Sequence, residues 1–78
     1  MKIRSYEWGY AWLHIQTEDF KDYMVYIEET KFSYIELPPA APPRRKEFPY
    51  DCQTLEQKKE YLQMLLKIGA LQDILEGV

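Results

Sequence analysis

Histidine and cysteine are the side chains that most readily serve as base, nucleophile or metal ligand, and this 78-residue chain holds one of each, His14 and Cys52. A metal site would have to recruit carboxylates at spacings that match no ligand pattern, and a Cys-His dyad would need the fold to converge on both residues. The expectation is a histidine on a sheet face and a thiol just ahead of a helix, where the helix N-terminus can lower its pKa without creating a catalytic site. Carboxylate pairs such as Glu28 with Glu36 could do general acid-base work, but in an acidic chain they read as a solvated rim. The glycines Gly9, Gly69 and Gly77 lie far apart, and none opens a phosphate loop before a helix. No enzyme activity, cofactor or metal is expected.

Binding chemistry has better support. Two Trp, seven Tyr and three Phe are many for so short a chain. The stretch WGYAWLHIQ, residues 8–16, puts Trp8, Tyr10, Trp12 and His14 on one parity and Ala11, Leu13 and Ile15 on the other. It reads as a strand with two apolar faces, of which an ordinary half-buried strand needs only one. Two further segments, 23–29 and 32–37, are also rich in β-branched and aromatic residues. The links between the three are of hairpin length.

The fold class expected is α+β, a single small domain with a three-stranded antiparallel meander followed by a C-terminal helix on one sheet face. Matching like faces pairs Leu13 with Val25 and Trp12 with Tyr26. A three-residue loop after the second strand then sets Val25 opposite Ile35, Tyr26 opposite Tyr34 and Tyr23 opposite Leu37. This sorts aliphatic residues to one face, the seat of Leu62 and Leu65, and aromatic residues to the other.

Residues 38–49, PPAAPPRRKEFP, carry all five prolines and read as a stiff crossover. Within it Pro39, Pro42 and Arg44, with Arg45 beside them, form a P-x-x-P-x-R pattern that can dock an SH3-like aromatic groove, a secondary candidate site. Helical character is expected over 54–76, starting at a Thr54-to-Gln57 capping box. Leu55, Leu62, Leu65 and Leu66 form one apolar stripe and Tyr61, Met64, Ile68, Leu71 and Leu75 another nearly opposite, so Gly69 is expected to break or bend the helix.

In this register the row Trp12, Tyr26, Tyr34 is flanked by Tyr10, Glu28, Phe32 and by His14, Met24, Glu36. One helix covers one face, so the aromatic face needs another cover, and the proline segment, a second copy or a partner protein could each supply it. Partner-binding residues are therefore expected to be Tyr10, Trp12, His14, Tyr26, Glu28, Phe32, Tyr34 and Glu36. Residues 17–36 hold six acids against two lysines, which suits a basic protein surface.

Net charge −3 argues against nucleic acid as the partner. No window approaches the ~18 apolar residues of a membrane span, no signal peptide precedes the strands, and a single cysteine suits a reducing compartment, so a cytoplasmic location is expected. The function expected is a non-enzymatic protein-binding module or, alternatively, a self-assembling homodimeric subunit. In composition the chain resembles the small inhibitors that phages and mobile elements direct against host defence proteins.

Overall fold

A computed structural model describes residues 1–77. Its strands are β1 (Ile3–Trp8), β2 (Trp12–Thr17), β3 (Asp22–Ile27), β4 (Lys31–Leu37) and β5 (Arg44–Glu47), followed by helices α1 (Leu55–Lys67) and α2 (Ala70–Glu76). The strands form one antiparallel sheet in the order β1-β2-β3-β4-β5. The class is α+β, but the meander has five strands and two helices follow it.

Two local causes account for the two strands beyond the expected three. The stretch 8–16 is not one strand: the Gly9 N–H donates to the Trp12 carbonyl at 2.9 Å, closing a tight turn over Tyr10 and Ala11. Trp8 therefore pairs with Leu13 and shares its face, and the residues before it form β1. At the far end, Arg44–Glu47 leaves the crossover and pairs with β4 without contributing one apolar side chain. The residue that follows, Phe48, is buried and anchors this segment to the core.

The register of β2 on β3 follows the alternation, with Leu13 opposite Val25 and Trp12 opposite Tyr26. That of β4 does not. The Glu28 N–H donates to the Lys31 carbonyl at 2.8 Å, so the turn has two residues, Glu29 and Thr30, rather than three. Val25 then faces Tyr34, Tyr26 faces Ser33 and Ile27 faces Phe32. Because side chains alternate with period two, that single slip moves every β4 residue to the opposite face.

Both helices pack on the face carrying Leu13, Ile15, Tyr23, Val25 and Phe32, where Leu62, Leu65, Leu66, Leu71 and Leu75 complete the core. Thr54 caps α1 as a full capping box, its hydroxyl accepting from the Gln57 N–H while the Gln57 side chain accepts from the Thr54 N–H. Gly69 divides α1 from α2 in the left-handed region at φ 82°, which a residue with a Cβ adopts only with strain. The turn there lets Leu71 and Leu75 reach the same core as Leu62.

The β4 register makes a direct test. Phe32→Ala should lower the unfolding free energy by about 3–5 kcal/mol, since it empties a fully buried site. Ile35→Ala, on the opposite face, should lower it by about 1 kcal/mol. Urea denaturation of the two variants checks the order, and a reversal would restore the three-residue turn.

Candidate functional site

The face of the sheet away from the helices is built in rows by the strand registers. Trp12, Tyr26, Ser33 and Arg45 form one row, Glu7, His14, Met24 and Ile35 the next, and Ser5, Gln16, Asp22 and Leu37 the third. No helix crosses it. The proline crossover leaves it open too, because Ala40, Ala41 and Pro42 line a cleft with Leu75 and Glu76 of α2, on the helix side. Trp12, His14, Met24, Ile35 and Leu37 are half-buried, and Tyr26 is 43% exposed.

The face is divided chemically. At one end a hydrogen-bonded network runs across three strands. Arg4 Nη2 and Ser5 Oγ donate to Gln16 Oε1 at 3.1 Å each, Gln16 Nε2 donates to Asp22 Oδ1 at 3.1 Å, and His14 Nε2 meets the same carboxylate oxygen at 3.1 Å. At the other end lie the aromatic rings of Trp12 and Tyr26, with Arg45 3.6 Å from Glu28 at the rim. Trp12 lies against the turn, since a Cβ on Gly9 would fall 2.0 Å from its Cε2. The same turn is held from below by Lys59, whose Nζ donates to the Gly9 carbonyl at 2.8 Å.

Of the residues expected at a binding surface, the structure brings Trp12, His14 and Tyr26 together here, with Glu28 and Arg45 at one edge. Tyr10 is 83% exposed in the turn, with the Lys59 ammonium 5.9 Å from its ring centre. Phe32 has no accessible surface, and Tyr34 packs against the core, so neither belongs to the open face. Glu36 also turns to the helix side, beside Tyr23 and 4.0 Å from Lys21. In their places stand Ile35 and Leu37, with Ser33 on the same side but buried between its neighbours. Their signal in the sequence is parity: once Phe32 is inside, the odd-numbered residues of β4 must face out.

The P-x-x-P-x-R pattern is taken apart by the fold. Pro39 and Pro42 are exposed in the crossover, whereas Arg44 opens β5 opposite Tyr34 and carries its guanidinium up to Gly77. Cys52 packs against the core on the helix side and His14 faces the other way, so the sheet separates them. Burial, with Asp51 alongside, pushes the Cys52 thiol pKa up, opposite to the lowering expected from the helix N-terminus.

The cleft under the crossover, about 590 Å³, contains Thr17, Asp19, Lys21, Tyr23 and Glu36. The Thr17 hydroxyl donates to the Asp19 carboxylate and lowers its pKa. Burial and the adjacent Glu36 carboxylate push the Tyr23 phenol up to about 12. Comparison of the chain with family models, curated proteins and solved structures gives no match.

Gly9→Ala should cost about 1–3 kcal/mol and shift the tryptophan fluorescence, because the new methyl displaces the Trp12 indole. An unchanged spectrum and melting curve would show the ring elsewhere. Tyr23 stays protonated in the folded chain while the unfolded chain ionises near 10, so its contribution to stability is intact below pH 10 and is lost as pH rises toward about 12. Unfolding followed across that window should show the decline, reduced in Tyr23→Phe.

Proposed function

We propose that the chain is a non-enzymatic protein-binding module whose docking surface is the open face of the sheet, centred on Trp12, Met24, Tyr26 and Ile35. One observation carries the reading. Both helices and the proline crossover lie on the other side, leaving five apolar side chains of this face without a cover from the chain itself. Large aromatic side chains supply contact area with few rotamers to immobilise, and aromatic residues and Met are the composition of an interface centre. The margin mixes Glu7, Asp22 and Glu28 with Arg4 and Arg45, and its excess of acid, with the net charge of −3, favours a partner with a basic rim around an apolar patch. Occupying such a surface is also how a small inhibitor acts, and the anti-defence reading rests on this same face.

The test is affinity capture from the source cell with the wild-type chain and with Tyr26→Ala and Met24→Glu, each first shown to melt like the parent. A partner held by the wild-type chain should be lost or weakened at least tenfold in both variants, a hot-spot effect of about 1.4 kcal/mol or more. Equal retention would move the binding surface elsewhere. A doubled mass in light scattering that the same substitutions abolish would assign the face to a second copy of the chain.

A further inference from the structure

The sheet ends in two free edges that differ in kind. β5 consists of Arg44, Arg45, Lys46 and Glu47, all exposed, and such a row of charge discourages the addition of another strand. β1 mixes one charge of each sign, Arg4 and Glu7, with Ile3, Ser5, Tyr6 and Trp8. Ladder bonds alternate along an antiparallel pair, and Gly9 donates to Trp12, so Glu7 and Ser5 repeat that bonded pattern toward β2. The backbone N–H and carbonyl of Tyr6 and Trp8 therefore point to the free edge.

A groove of about 530 Å³ runs beside this edge, between β1 residues 3–6 and Gln63, Leu66, Lys67 and Gln72 of the helices. Among the described residues no carboxylate lines it. Arg4 turns its guanidinium to Gln16 on the open face, which leaves Lys67 as the cation of the groove, and among the described residues Lys67 is in no ion pair. Behind the wall lies an unsatisfied acceptor. Gln72 Nε2 donates to the Leu66 carbonyl at 3.2 Å, which fixes the amide and leaves Oε1 sealed from solvent without a partner.

We propose that this groove takes an extended acidic segment of a partner protein, which adds to β1 as a sixth strand. Its main chain bonds the free N–H and carbonyl of Tyr6, and a carboxylate meets Lys67. Strand addition of this kind draws affinity from the main chain and preference from alternate side chains, and here the preference is for negative charge. The free edge at Tyr6 and the Lys67 ammonium lie outside the open face, which the groove meets only at Arg4 and Ser5, so the two readings fail independently.

The experiment is a titration of the isotope-labelled full chain with a capped peptide alternating glutamate and valine, followed by amide shifts. Saturable shifts at Tyr6, Lys67 and the Gln72 side-chain amide, half-complete below about 1 mM, are expected. Lys67→Glu, an exposed position outside any ion pair, should weaken the peptide at least tenfold, and Tyr6→Pro, which removes the edge N–H, should do the same. If Tyr6→Pro fails to fold, Lys67→Glu decides. The proposal is overturned by an absence of shifts, by an equal response to a lysine-valine peptide, or by shifts confined to β5 or the open face. Concentration-dependent shifts along β1 without peptide would likewise overturn it, by giving the groove to a second copy.

Discussion

The burial of Phe32 is the constraint on which the other placements depend. Its ring has no accessible surface and meets Phe48 at 5.1 Å and Tyr34 at 6.1 Å between centroids, and Phe48 in turn meets Tyr61 of α1 edge-on at 6.0 Å. Each such pair contributes about 0.5–1.5 kcal/mol beyond the area it buries. The run of four rings joins β4, the segment after β5, and α1 in one contact path. It also secures β5, which has no apolar residue of its own, because the Phe48 N–H donates to the Thr30 carbonyl at 3.0 Å while its ring enters the core. Lys58, buried at 8% exposure, lays its ammonium 5.9 Å from the Phe48 ring centre and holds the first turns of α1 against the same point.

With Phe32 inside, the open face follows. Ser33, Ile35 and Leu37 must point outward, next to Tyr26, Met24 and Asp22 respectively. The outward residues of β2 are Trp12, His14 and Gln16, graded from aromatic to polar along the strand, and β3 repeats the gradient with Tyr26, Met24 and Asp22. The division of the face into an aromatic end and a hydrogen-bonded end is therefore a property of strand pairing. A partner of the kind proposed would meet apolar area at one end and fixed donors and acceptors at the other, which would set orientation as well as contact.

How much of this is legible in the sequence depends on how many readings each segment allows. In β2 and β3, Leu13 and Ile15 can match only Tyr23 and Val25 without mixing polar and apolar faces, so the pairing is determined by pattern. The capping residues Thr54 and Gln57 and the turn glycine Gly69 are local signals and can be read locally. β4 is ambiguous because Phe32 and Tyr34 compete with Ile35 and Leu37 for the core, and the contest is decided by Phe48, a residue distant in sequence. The turn at Gly9 is hidden since Tyr10 and Ala11 are not turn formers, and β5 is hidden since charge alone carries no periodicity. Each misplaced candidate, Phe32, Tyr34 and Glu36, lies on the one strand whose register a short-range argument cannot choose.

The site and the core meet at Gly9. From the helix side Lys59 grips its carbonyl, with the same ammonium 5.8 Å from the Trp8 ring centre, while the Trp8 indole N–H donates to Gln63 Oε1 at 3.3 Å. From the other side the Trp12 indole rests on the space a Cβ would fill. The hairpin tip is thus held between α1 and the ring that begins the aromatic end of the open face. This packing restrains the Trp12 indole in the folded chain, which would lower the ordering cost of docking under the proposed function. The glycine serves here through the absence of its side chain, since its backbone is free of the left-handed conformation found at Gly69 and Gly77. Any side chain at position 9 would raise Trp12 off the turn and loosen the contact through which the helix layer supports the face.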